Sequence, residues 1–188
     1  MDSFFTSIGL VALAEIGDKT QLLAILLAAK FRKPVPIILG ILAATLLNHL
    51  CAASIGYFLA QWLAGLWFRL IMGVGFLAMA AWALVPDKSD DGAAARSAGG
   101  VFLTTALAFF LVEIGDKTQI VTSLLAARFH DIVLVAAGTT LGLMLADVPA
   151  VLFGERVTRL VPLHIVRIVT AAIFALIGLW VIVEALRG

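Results

Sequence analysis

Glu15-Ile16-Gly17-Asp18-Lys19-Thr20-Gln21 lies in the middle of an apolar run from Phe4 to Ala29, and the same seven residues recur letter for letter at Glu113-Ile114-Gly115-Asp116-Lys117-Thr118-Gln119. The run is long enough to cross a bilayer. Two acids and a lysine at bilayer depth are costly in hydrocarbon, so such residues read by default as a functional site. The same costly cluster written twice in one small chain points to one site built from two halves.

Composition sets the solvent. The 188 residues are 63% hydrophobic and 13% charged, whereas soluble domains run nearer half apolar and a quarter charged. This is the composition of an all-α integral membrane protein, and the length accommodates about six transmembrane helices with short loops. The net charge of +1 and the lack of a basic patch interleaved with aromatics argue against a nucleic-acid partner. A single cysteine, Cys51, excludes an internal disulfide framework and a Cys-rich metal site, and within its apolar run it reads as a small buried packing residue. Met1-Asp2-Ser3 lacks the basic start of a cleaved signal, so the first helix is expected to stay.

Outward from the motif, the first span is Phe4 to Ala29, stopped by Lys30-Phe31-Arg32-Lys33-Pro34. The second, Val35 to Gln61, carries Asn48 and His49 near its centre. The third follows Arg69 and reaches Val85 without an ionisable residue inside it. The small, polar stretch from Pro86 to Gly100 reads as a cytoplasmic linker. The fourth span, Val101 to Ala127, carries the second motif. The fifth, Ile132 to Gly154, contains Asp147 and then Pro149, and the sixth runs from about Arg167 to Val183. Trp62, Trp67, Trp82 and Trp180 fit interfacial belts.

The repeat exceeds the motif. The shift of 98 residues that takes Glu15 to Glu113 also pairs Phe4 with Phe102, Phe31 with Phe129, Gly40 with Gly138, Arg69 with Arg167, Phe76 with Phe174 and Trp82 with Trp180. Residues 1–85 and 101–188 are thus two three-helix repeats joined by residues 86–100. An odd number of spans per repeat makes the second enter the membrane from the opposite side. Lys30, Arg32, Lys33, Lys88, Arg96, Arg156, Arg159 and Arg167 then fall on one side, against Arg69, Arg128 and Arg187 on the other. The positive-inside rule makes the first side cytoplasmic and leaves both termini outside. Inverted repeats of this kind are a secondary-transporter design with the substrate near the midplane.

On a continuous helix Glu15, Asp18 and Gln21 form one stripe, and Glu113, Asp116 and Gln119 repeat it. If the stripes meet, four carboxylates and two amide oxygens make an all-oxygen site for a hard divalent cation such as Ca²⁺, Mg²⁺ or Mn²⁺. Four carboxylates with Lys19 and Lys117 sum to −2, the complement of one such ion. Carboxylates about 4 Å apart repel by roughly 4 kcal/mol at an effective dielectric near 20, so the empty site should hold protons that metal entry expels. The competing structural reading pairs Glu15 with Lys19 and Glu113 with Lys117, four residues on, as salt bridges. Asn48 and Asp147 are further site candidates, Asp147 as ligand or proton relay, while His49 reads as a packed, hydrogen-bonded histidine. Thr20 and Thr118 serve either the preceding turn or the ion. Gly17 and Gly115 allow close backbone approach or local unwinding that exposes carbonyls.

The doubled Glu-apolar-Gly-Asp-Lys-Thr on the first and fourth of six spans resembles the Gdt-type, transmembrane-protein-165-like family of small divalent-cation transporters, across essentially the whole chain. The resemblance implies export of Mn²⁺, with Ca²⁺ as an alternative, in exchange for protons, with Glu15, Asp18, Glu113 and Asp116 on the metal. It also implies a bacterial plasma (inner) membrane location, because the N-terminal extension and long central loop of eukaryotic members are lacking. The expected partners are therefore a divalent cation, protons and the lipid bilayer, with a homodimer as one oligomeric option. The residues alone leave room for a proton-coupled small-metabolite exporter, a divalent cation channel or an intramembrane metal-assisted hydrolase. The expectation is a transporter and not an enzyme. No Walker-type loop supports ATP-driven pumping.

Overall fold

A computed structural model describes residues 1–63, 65–85, 100–154 and 163–187, and among them every regular element is an α-helix. In chain order these are α1 (Asp2–Glu15), α2 (Lys19–Phe31), α3 (Pro34–Trp62), α4 (Leu66–Ala83), α5 (Val101–Glu113), α6 (Lys117–Phe129), α7 (Ile132–Phe153) and α8 (Leu163–Arg187). The expected linker lies outside the described residues save Gly100, as do Lys88, Arg96, Arg156 and Arg159.

Four helices, α3, α4, α7 and α8, are long and apolar enough to cross a membrane. The first and fourth expected spans are each broken in two at the motif. A helix of 14 residues, such as α1, reaches only about 21 Å at 1.5 Å per residue, short of a hydrocarbon core about 30 Å thick. Pro34 and its neighbourhood start α3 where a proline's missing N–H costs nothing. Arg32 and His130, equivalent under the 98-residue shift, both close their helices at φ 52° and donate to Ala28 and Ala126. The duplication therefore extends to how the chain turns.

Packing follows the same relation. In α3 a Cβ on Gly40 would come within 2.8 Å of the Phe102 carbonyl and of Thr105 Cβ in α5. In α7 a Cβ on Gly138 would meet Phe4 and Ser7 of α1 in the same way. A contact between one position and the partner of another, mirrored by its converse, is the mark of a two-fold relation. Phe76 of α4 and its own equivalent Phe174 of α8 lie ring to ring, 6.5 Å apart. The helices α4 and α8 pack on each other, α1 on α7, α5 on α3, and α3 on α7.

Polar ends and apolar flanks complete the picture. Arg69, Arg128, Arg187 and Asp2 gather around three adjoining cavities at one end of the molecule. Leu47, Phe58, Leu145, Leu176 and Trp180 are exposed on the flanks, the arrangement of a chain whose outer solvent is lipid. Cys51 corrects an expectation: it is exposed, not buried. A small apolar side chain loses nothing by facing hydrocarbon, so the usual burial of a free thiol carries no weight there.

Candidate ion site

The motif is a helix break. Glu15 is the last residue of α1, and Asp18 donates its N–H to the Glu15 carbonyl at 3.0 Å. Ile16 sits at φ −62°, ψ 114° and Gly17 at φ 80°, the pattern of a type II turn, whose third position requires positive φ. Glu113-Ile114-Gly115-Asp116 repeats it, with the same 3.0 Å bond and Gly115 at φ 75°. Gln21 Oε1 accepts the Gly17 N–H at 2.9 Å, and Gln119 Oε1 accepts that of Gly115 at 2.8 Å. Each glutamine thus pins its own turn, and Gln21 also donates to the Ala146 carbonyl of α7 at 3.1 Å. The continuous stripe expected for one helix is not formed, because the turn at Ile16-Gly17 interrupts the helical periodicity between the two acids.

Glycine is required here by conformation. An L-residue at φ near +80° costs about 1–2 kcal/mol. Gly17→Ala and Gly115→Ala should each destabilise the protein by about that amount and displace the adjoining acid. Thermal melting of the purified chain checks this; unchanged melting in both variants would rule out the turn as described.

The two breaks face each other. Lys19 Nζ lies 2.9 Å from Asp116 Oδ1, and Lys117 Nζ lies 3.2 Å from Asp18 Oδ1. Each lysine reaches the aspartate of the other repeat. Among the described residues, neither Glu15 nor Glu113 hydrogen-bonds the lysine four positions on, so the local salt-bridge reading does not apply. Asp18 and Asp116 stand at the N-caps of α2 and α6, where helix dipoles favour negative charge. Asp116 Oδ2 also accepts from Thr118, through its N–H at 3.4 Å and its hydroxyl at 3.3 Å.

The repeats then diverge. Glu113 accepts from Thr45 Oγ1 at 2.9 Å and from Asn48 Nδ2 at 3.4 Å, and Asn48 also reaches the Phe110 carbonyl. The positions equivalent to Thr45 and Asn48 are Leu143 and Ala146, which offer no side-chain donor. Glu15 is accordingly fully buried with neither oxygen hydrogen-bonded, and so is Asp147. Asp18, Asp147, Asp116 and Glu113 all lie near enough to act on Glu15 electrostatically. A carboxyl group so placed must be satisfied by a proton or a cation. His49 is buried, with Nδ1 3.4 Å from Thr140 Oγ1 and Nε2 unpartnered among the described residues. Thr20 Oγ1 is likewise buried and unpartnered among them.

This conformation is not a finished coordination shell: among the described residues no three of the acids, histidines and cysteines stand together closely enough to hold an ion. A cavity of about 20 Å³, room for one water, reaches Asp18 and Lys117 between Gly17 of the first turn and Met79, Arg167 and Thr170. The helices α4 and α8 therefore border the site as well. Thr170 also donates to the Leu13 carbonyl near the end of α1. Two features of the site have little signature in the sequence: the Thr45 bond to Glu113 and the crossing of the lysines to the opposite repeat. Thr45 was signalled only by its place three residues before Asn48, on the same helix face. The cross-repeat role of the lysines had no local signal.

Comparison with known proteins adds the following. The family model described as "Divalent cation/proton antiporter GDT1" matches residues 3–91 and 101–188. A protein of Vibrio cholerae serotype O1 named "Putative manganese exporter" is 51% identical over 174 residues, covering 92% of this chain and 86% of the relative. No solved structure gives a significant match.

Proposed function

The chain belongs to the GDT1 family of divalent cation/proton antiporters, and we propose that it exports Mn²⁺, with Ca²⁺ as second substrate, in exchange for protons across the bacterial plasma membrane. In this reading the chain crosses six times as two inverted three-helix repeats, with α1–α2 and α5–α6 as discontinuous spans and both termini outside. Glu15, Asp18, Glu113 and Asp116 ligate the ion near the midplane. Asn48 holds Glu113, Asp147 completes the acid cluster beside Glu15, and Gln21 and Gln119 fix the turns while keeping a lone pair each for the ion.

The observation that carries the reading is the reciprocal pairing of Lys19 with Asp116 and Lys117 with Asp18. It brings two identical motifs, 98 residues apart in sequence, to one place. Discontinuous helices suit the task, because the last carbonyls of α1 and α5 and the first N–H groups of α2 and α6 meet at the same depth. Hard oxygen donors, with no cysteine or histidine in the motif, favour Mn²⁺, Ca²⁺ or Mg²⁺ over softer metals. The name of the Vibrio cholerae relative supports manganese among these. Exchange follows from Glu15 and Asp147: buried acids without donors carry protons when the ion is away and release them when it enters.

Reconstituted into vesicles holding a pH dye, the chain should move Mn²⁺ fastest, Ca²⁺ more slowly and Mg²⁺ least. Each metal movement should carry protons the opposite way. Metal flux with no dye response would contradict antiport, and flux that saturates at no concentration would favour the channel reading.

A further inference from the structure

We propose that Lys19 and Lys117 are tethered cations that occupy the acids of the opposite motif between transport events, and that the transported ion binds by displacing them. The inference rests on the reading of the motif acids as the ion site.

Local structure gives these lysines no reason to be where they are. Each is the first residue of a half-helix, where the positive end of the helix dipole repels a cation. Each instead crosses to the N-cap aspartate of the other repeat, at 2.9 and 3.2 Å. The aspartates are almost wholly buried, Asp116 2% and Asp18 1% exposed, so the ammonium groups neutralise charge where water is scarce. With one Oδ1 of each aspartate held by an ammonium, the acids form no coordination shell among the described residues. An ammonium and a divalent cation need the same oxygen lone pairs, and both cannot have them.

The two bridges differ in how they can open. Lys19 is 24% exposed and has room to move outward; Lys117, at 8%, lines the small cavity that also touches Arg167. Displacement would swing Lys19 outward and Lys117 into that cavity, leaving four carboxylates free to converge on one ion. Return of the lysines then helps expel the ion on the far side. Binding is weakened by the fraction of molecules in which the bridges are closed. The acids gain a counter-charge that prevents them from trapping the cargo.

The test is Mn²⁺ binding to the purified full-length chain, read by the loss of the free-ion paramagnetic signal, together with vesicle flux. Lys19→Met with Lys117→Met keeps the length and apolar stem but removes the charge. It should tighten Mn²⁺ binding about tenfold or more if nine molecules in ten are bridged, and KM and kcat for flux should fall together. Lys19→Arg with Lys117→Arg keeps the charge and offers a stronger, forked grip on a carboxylate, so it should weaken binding by a similar factor. Lysines that merely pin the fold would give the reverse order, with Arg near the parent and Met impaired, and that order would overturn the proposal. If the Met pair does not fold, the Arg pair decides: weaker binding supports displacement, and parental or tighter binding overturns it. Asp18→Asn run in parallel separates the two levels. Parental Mn²⁺ affinity in that variant would remove the ion site itself and the displacement with it. Lost affinity there with unchanged affinity in both lysine pairs would leave the site standing and end the displacement alone.

Discussion

Asp18→Asn and Asp116→Asn should each lower Mn²⁺ flux in proteoliposomes by more than about 100-fold, and by similar factors. Changing groups that merely orient metal ligands already costs about 10–100-fold in affinity or activity, and these two carboxylates are read as ligands. An amide is isosteric with the acid but brings no charge, so the cation loses one of its four anionic ligands and the attraction that goes with it. The effect should be alike at both positions because each aspartate caps a half-helix and holds the lysine of the other repeat. Both variants should still elute as monodisperse protein, which separates lost chemistry from lost fold. Normal flux in both would mean that the ion passes elsewhere.

Gly56→Ala should be strongly damaging although it adds only one methyl group. A Cβ at Gly56 of α3 would fall inside the Ser123 carbonyl of α6, and backbone cannot yield as a flexible side chain can. The same contact is held by Ser123 Oγ donating to the Ala52 carbonyl at 2.9 Å. Forcing extra volume into a closed interface costs about 1–3 kcal/mol or more, and here it would part α3, which holds Thr45 and Asn48, from the half-helix that begins at Lys117. The apparent melting midpoint should drop by about 5 °C or more, with flux reduced in step. Gly9→Ala in α1 is the control: nothing lies within 4 Å of a Cβ there, so melting and flux should stay at parental values. Equal behaviour of the two variants would mean that α3 and α6 are not in contact at Gly56.

Much of this was legible in the sequence. The apolar runs gave the helices α3, α4, α7 and α8 nearly to their ends, because a bilayer demands long uninterrupted hydrophobic stretches. The verbatim repeat showed which polar groups belong together, since acids at such depth need a shared purpose. The broken helices were only hinted at: Gly17 permits unwinding, but nothing local says that Gln21 will bond its N–H and fix the turn. The lysines were harder still. Within one repeat Lys19 looks like the natural partner of Glu15, and only the folded arrangement brings Asp116 closer. The difference between the repeats could be seen as Asn48-His49 against Ala146-Asp147, yet its meaning depends on Thr45 touching Glu113 while Leu143 leaves Glu15 without a donor. Exposure of Cys51 could not be read at all. Where both lipid and protein interior are apolar, a uniformly hydrophobic helix does not reveal which face is which.

The central claim, one ion held jointly by two repeats, is tested most directly by the stoichiometry of Mn²⁺ binding to the purified chain. Titration should give a single ion per chain, and Glu15→Gln, Asp18→Asn, Glu113→Gln and Asp116→Asn should each remove that ion. Two ions per chain, or a first-repeat variant that loses one while a second-repeat variant loses another, would show two separate sites and contradict it.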